Sequence, residues 1–298
     1  MKFLLIFTML LLGAMSIVTN GQARKVFPYA YKVTDLPNGL RIVTVPTDYK
    51  NLVSYYTVVR AGSRNEIEDK KSGYAHFFEH LMFRGSKNYP PGSFDEIMKK
   101  AGASSNAYTS SDQTVYHETF AKEDLEEVMK LEADRFKNLE FTEEKFKTEA
   151  GAVLGEYNKN SASPTFKMYE VMRETAFQEH TYSHTTMGYL ADIKDYPNQY
   201  EYAWTFFKRF YRPENTTLVV VGDIDEAKTV EMIKKYYGDW QKGDYEQEIP
   251  KETEQTEAKT KNVDWDAATN PHVVVAYRAP AFSETEKDKA AVLQSFFM

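Results

Sequence analysis

The chain has 298 residues, 42% hydrophobic and 14% aromatic, with a net charge of −7 and no cysteine. That length and apolar content exclude a disordered chain and provide for one or two substantial cores. Acidic and basic residues are interspersed, without the basic stripe that nucleic-acid binding needs, so no nucleic-acid partner is expected; without cysteine there is no disulfide framework and no lipid-accepting thiol.

The chain begins "MKFLLIFTMLLLGAMSIV", one lysine ahead of an apolar run, followed by "TNGQA" with small residues at Gly21 and Ala23. This is the layout of a secretory signal cut after Ala23, which makes residues 1–23 a signal peptide and directs the mature chain to the periplasm or the exterior. An uncleaved anchor is the alternative. Residues 3–18 would, however, form a helix only about 24 Å long against a hydrocarbon core of roughly 30 Å, so no stable membrane span is expected after signal cleavage.

Further on, "YAYKVTDLPNGLRIVTVP" reads as a hairpin with its tight turn at Asn38 and Gly39, and "LVSYYTVVRAG" as a third strand. A helix containing "YAHFFEHLMF" is followed by a second from "PGSFDEIMKKAG", where Ser93 and Glu96 have capping-box spacing and Gly102 ends the helix. "SSNAYTSSDQTVYHETF" predicts two strands joined at "SSD". Helices are expected near 122–137, 142–159, 164–178, 198–210 and 225–238, with a buried strand in "NTTLVVVGD" between the last two.

Residues 24–240 thus make one domain, and the polar, charged stretch 241–269 reads as a linker. From residue 270, "HVVVAYRAPAFSETEKDKAAVLQSFFM" repeats the order of "VSYYTVVRAGSRNEIEDKKSGYAHFFEHLM": a β run, Arg-Ala, an acidic turn, then a helix. Aligning Arg60 with Arg278 sets Gln294, Phe297 and Met298 opposite His76, Glu79 and His80, as in a second copy without the polar residues. Two unrelated strand-to-helix units would look the same.

Those polar residues carry the chemistry. On a helix, His76 and His80 lie one turn apart and Glu79 about 60° from His76, while Phe77, Phe78, Leu81, Met82 and Phe83 make the remaining surface suited to packing on most sides. Two imidazoles and a carboxylate are costly to bury unless they pair with one another or meet an ion. Histidines at i, i+4 with an interleaved acid favour zinc. A hydrolytic zinc also wants a third protein ligand and an open position. "FTEEKFKTEAGAVLGEYNKN" offers Glu149 and Glu156, about 10 Å apart along one edge of the apolar face formed by Phe146, Ala150, Val153, Leu154 and Tyr157. Spacing alone does not separate a ligand from a solvated flank here. His180 and His184 form a rival pair without an interleaved glutamate and read as structural; His117 and His272 fall in strand-like runs.

The HxxEH order inverts the commoner HExxH motif and marks the inverzincins. "GYAHFFEHLMFRGS", with "SSNAYTSSDQTVY", "EAGAVLGE", "HTYSHTTMG" and "FYRPENTTLVVVGD" in that order, resembles the insulinase, pitrilysin and mitochondrial processing peptidase family over about residues 30–298. The resemblance implies an α+β fold with a largely antiparallel sheet packed against helices, one catalytic half of a clamshell followed by the start of a second, metal-free homologous domain at 270–298. It also implies one Zn²⁺ per chain on His76, His80 and Glu156, with Glu79 as the general base and Glu149 as the acidic catalytic position that supports the site. "SSNAYTS" resembles the edge strand that takes up an extended peptide, which assigns Asn106 and Ala107 to substrate binding. The activity implied is that of a zinc endopeptidase acting on peptides or unfolded protein, partnered by a second homologous half in cis or as a separate subunit. A non-catalytic peptide-binding or assembly subunit of the same fold is the alternative.

Overall fold

In a computed structural model, residues 27–278 are described. The signal segment 1–23 and the apolar helix expected near the end, with Gln294, Phe297 and Met298, lie outside the described residues. Residues up to Ala30 form one unit, of which 27–30 are described and carry neither helix nor strand; the chain from Tyr31 onward forms another.

Strands β1 (Lys32–Asp35) and β2 (Arg41–Pro46) make the expected hairpin, with its turn one residue earlier than the sequence predicts. The Gly39 amide donates to the Leu36 carbonyl at 2.8 Å, so Pro37 and Asn38 are the central residues and Gly39 follows in the left-handed region at φ +87°. Pro37 presets the first central φ. The Asn38 amide meanwhile ties the turn to the rest of the fold, donating to the Tyr237 and Trp240 carbonyls at 2.9 and 3.1 Å.

Four more strands, β3 (Leu52–Val59), β4 (Ser104–Thr109), β5 (Thr114–Ala121) and β6 (Thr216–Gly222), complete a six-stranded sheet in the order β1-β2-β6-β3-β5-β4. Every neighbouring pair is antiparallel except β2 with β6. The valine run of β6 follows from its place between β2 and β3. Alternate residues of β3 (Val53, Tyr55, Thr57 and Val59) are fully buried, the period-2 pattern of a sheet with one face on the core. Strand β4 ends the order, so one of its edges is unpaired among the described strands.

Eight α-helices are described: α1 (Tyr74–Leu81), α2 (Ser93–Lys100), α3 (Leu125–Lys137), α4 (Glu143–Ser161), α5 (Pro164–Ala176), α6 (Leu190–Asp195), α7 (Tyr200–Phe210) and α8 (Glu226–Tyr237). The expected α+β architecture is therefore present. Helix α6 was not foreseen. The capping box at Ser93 does not form: α2 starts at Ser93 itself, after Gly92 in the left-handed region, and the Ser93 amide is spent on the Pro90 carbonyl. Gly102 does end α2, at φ +58°, with its amide and that of Ala103 donating to Lys99 and Met98 as in a Schellman motif. Residues 239–278 contain no helix or strand. The β run expected at 272–277 has no strand partner among the described residues, and Val273 and Tyr277 are 87% and 75% exposed. No described helix is long and apolar enough to cross a membrane.

Helix α1 is embedded in aromatic rings. Phe77 stacks on Tyr196 at 4.6 Å between centroids, and Phe78 stacks on Phe206 at 5.1 Å. Full burial of two such side chains contributes about 1.5–3 kcal/mol each, which anchors the helix that carries the histidines. Behind it, Arg135 of α3 is buried under the rings of Phe83 and Tyr116, with Nε 2.7 Å from Glu132 and Nη2 3.3 Å from Glu118, both also buried. Removing the cation leaves two carboxylates desolvated and unpaired. Arg135→Ala is therefore expected to cost about 3–5 kcal/mol in chemical denaturation; a loss under about 1 kcal/mol would show that the cluster relaxes or hydrates freely.

Candidate metal centre

Helix α1 begins at a chain reversal that only glycine permits. Gly73 sits at φ +84°, and a Cβ there would collide with the Tyr196 hydroxyl and the Met187 carbonyl. Glu66, from the preceding loop, takes the first orphan amides of the helix, accepting from Gly73 N at 2.6 Å and Ala75 N at 2.8 Å. Its burial pushes the carboxyl well above its usual range, against the pull of those two amides. Helix α6 adds Asp192, which accepts the Ser72 hydroxyl at 2.5 Å. The start of α1 is thus pinned by two carboxylates that no local sequence pattern announces.

With the helix so fixed, His76 and His80 stand edge to face with ring centroids 4.8 Å apart. Helix α4 packs alongside and brings Glu156 between them: its Oε2 lies 3.5 Å from His76 Nε2 and 3.3 Å from His80 Nε2. Among the described residues these three are the one group whose donor atoms, all within 4.8 Å of one another, could hold a metal ion. The two Glu156 separations are compatible with a shared ion. They are long for hydrogen bonds, whereas atoms at roughly 2.0–2.1 Å from a tetrahedral ion lie about 3.3–3.4 Å apart. The donor set, two imidazole nitrogens and one carboxylate oxygen, also fits zinc.

Burial, reinforced by the charge of His80, pushes the His76 imidazole down to about 4 against the attraction of Glu156, so His76 is neutral near pH 7 with a lone pair to give. Burial also acts to lower His80, but the hydrogen bond and charge of Glu149 outweigh it and leave His80 above its ordinary value. That bond runs from His80 Nδ1 to Glu149 Oε1 at 2.9 Å. Glu149 itself, although burial acts to raise it, is held below the usual carboxylate range by His80 and Arg84. The two glutamates on the edge of α4 are thus distinguished: Glu156 faces both Nε2 atoms, and Glu149 faces the far nitrogen of one ring.

Glu79 is raised by burial, with a hydrogen bond from Thr109 opposing the shift. The Thr109 hydroxyl donates to Glu79 Oε2 at 2.6 Å, connecting this carboxylate to β4. By strand alternation Ala107 shares the face of Thr109, while Asn106 points to the other face and its Oδ1 accepts from the Ala107 amide at 3.0 Å. Asn106 and Ala107 therefore lie on the open edge strand beside Glu79, with one edge amide already engaged. His180 and His184 do not converge on an ion: His180 Nδ1 accepts from Tyr182 N at 3.0 Å, and His184 Nδ1 lies 2.9 Å from the Thr185 carbonyl. His117 is on β5, stacked on Tyr56, and His272 is outside any strand. Sequence reading missed Glu66, Arg84 and Thr109.

Two imidazoles and a carboxylate that could hold a metal ion thus lie beside a further carboxylate and an open strand edge. The chain belongs to the insulinase family (peptidase family M16), whose model matches residues 41–189; residues 197–298 match the peptidase M16 inactive domain. The boundary between the two matches falls within one sheet, since β6 lies between β2 and β3. All five residues His76, Glu79, His80, Glu149 and Glu156 are in the first match. The zinc protease PqqE of Helicobacter pylori is 33% identical over 307 residues, covering 98% of this chain and 66% of that protein. A crystal structure of a protease from Helicobacter pylori is similar with a TM-score of 0.70 at 32% identity, covering 76% of this chain and 54% of that one. The first half of the periplasmic protease PqqL from Escherichia coli gives 0.65 at 27% identity, covering 73% and 48%. The chain spans about half to two thirds of the length of these relatives. The family expected from the HFFEH helix is the family found.

Proposed function

We propose that this chain carries the catalytic half of an exported zinc endopeptidase that hydrolyses peptides or unfolded polypeptides bound as an extended strand. The observation that carries this reading is the placing of Glu156 Oε2 within 3.5 Å of the Nε2 atoms of both His76 and His80. His76, His80 and Glu156 are the ligands of one zinc. When bound, the ion supplies Lewis acidity toward the scissile carbonyl and toward water. Glu79 takes the proton of the attacking water at Oε1, the oxygen that Thr109 does not engage, and returns it to the leaving amine. Glu149 holds the His80 ring, and the edge of β4 at Asn106 and Ala107 receives the substrate backbone.

The chain around the site divides in this reading into a zinc-binding domain at 24–240, a linker at 241–269 and the start of a metal-free homologous domain from 270, the second half of a clamshell. Relatives longer than this chain, one of them represented by a structure of its first half, support that arrangement. Export to the periplasm or exterior is supported by the amino-terminal pattern and by the periplasmic PqqL. A pure peptide-binding subunit has no use for a carboxylate poised at the metal group.

Zinc-loaded protein incubated with a mixed peptide library should cleave it, lose the activity to a chelator and regain it with added zinc. A library left intact by the zinc-loaded protein, second half included, would reject the enzymatic reading in favour of a binding subunit. Thr109→Val tests the base more finely. Loss of the hydrogen bond that lowers the Glu79 carboxyl should move the acid limb of the pH–rate profile to higher pH and reduce kcat by about tenfold, with KM little changed. An unmoved acid limb would separate Thr109 from Glu79.

A further inference from the structure

Arg84 lies three residues beyond the end of α1, where its amide donates to the Leu81 carbonyl at 2.9 Å. From there its guanidinium reaches Glu149 of α4 with both arms of the fork, Nε to Oε2 at 2.5 Å and Nη2 to Oε1 at 3.1 Å. The arrangement is asymmetric in solvent: the Glu149 side chain is 5% exposed and that of Arg84 45%. Glu149 Oε1 also meets His80 Nδ1, so both carboxylate oxygens are engaged and the group has one orientation.

We propose that Arg84 is a positioning residue of the metal site, acting through Glu149 to fix the His80 ring with Nδ1 protonated and Nε2 turned toward Glu156. An ionised carboxylate can only accept, so Nδ1 carries the hydrogen, and in the neutral ring that a metal requires the lone pair is then on Nε2. Without the fork, Glu149 is a buried carboxylate with one partner, free to rotate off His80 and release the ring. Lysine keeps the charge but is a point donor and cannot hold both oxygens. Charge alone predicts the opposite outcome, because deleting a cation near a metal site strengthens the attraction for Zn²⁺. The sign of the effect therefore separates positioning from electrostatics.

The proposal rests on the reading of His76, His80 and Glu156 as zinc ligands, and one set of titrations tests the two separately. Zinc affinity is measured by competition with a chromogenic chelator, and the ligand field by the visible spectrum of the Co²⁺ form, in the full-length protein and in R84L, R84K, E149Q and R84L/E149Q. Arg84→Leu should weaken zinc by about 10- to 100-fold and alter the Co²⁺ spectrum, Arg84→Lys should recover part of the loss, and in the E149Q background the further effect of Arg84→Leu should shrink to about twofold or less. Zinc binding as tight as or tighter than the parent in R84L, or the same loss in both backgrounds, overturns the proposal. If R84L lowers the melting temperature of the metal-free protein, the comparison passes to R84K, where affinity equal to the parent is the contrary result. A parent protein that binds no zinc overturns the ligand assignment and this proposal together; a parent that binds zinc with R84L unchanged overturns only the role of Arg84.

Discussion

Glu79→Gln is expected to leave zinc at about one per chain while peptide hydrolysis falls by about 10²- to 10⁴-fold. The amide fills the same volume and can keep the Thr109 hydroxyl as a donor through its carbonyl oxygen, so helix, strand edge and metal ligands are undisturbed. What disappears is the capacity to accept a proton. Parallel zinc analysis and peptide turnover decide the point: unchanged turnover removes Glu79 from the mechanism, and lost zinc would make Glu79 a ligand instead of a base. Substrate affinity should survive, which makes the variant suitable for trapping bound peptides.

His80→Ala should act on the metal itself, reducing zinc from about one per chain to near zero and activity with it. His80 occupies the junction of the network, with Nε2 3.3 Å from Glu156 and Nδ1 2.9 Å from Glu149. Its loss would take away one of the proposed ligands and leave Glu149 to Arg84 alone. Elemental analysis checks this directly. Full zinc occupancy in the variant would direct attention to His180 and His184, although the structure gives those rings separate partners.

The parts of this site that were legible in the sequence are those governed by local periodicity. His76, Glu79 and His80 could be placed because one helical turn brings i and i+4 together, and the surrounding phenylalanines declared that the helix is enclosed. The β-rich run of β3 and the valine run of β6 likewise marked a strand and a buried strand. Glu149 and Glu156 were visible as residues but not as roles, since two carboxylates on one helix edge look alike until a partner helix is placed against them. Arg84 and Thr109 were invisible because their partners are 65 and 30 positions away, and Glu66 because it caps α1 from a loop with no cap signature.

Two misreadings have equally local causes. Ser93 and Glu96 had the capping-box spacing, but the turn through Pro90 and Gly92 starts the helix one residue early and consumes the serine amide. The β run at 272–277 had strand composition, but a strand exists only when another pairs with it, and among the described residues none does.

The central claim is that one zinc is held by His76, His80 and Glu156. An anomalous difference map from zinc-loaded crystals, with data collected on either side of the zinc absorption edge, tests it most directly. A single edge-dependent peak should appear roughly 2.0–2.2 Å from His76 Nε2, His80 Nε2 and a Glu156 carboxylate oxygen, with Glu149 outside bonding distance. A peak located elsewhere, at His180 and His184 for example, or none at this position in zinc-loaded protein, would contradict the account.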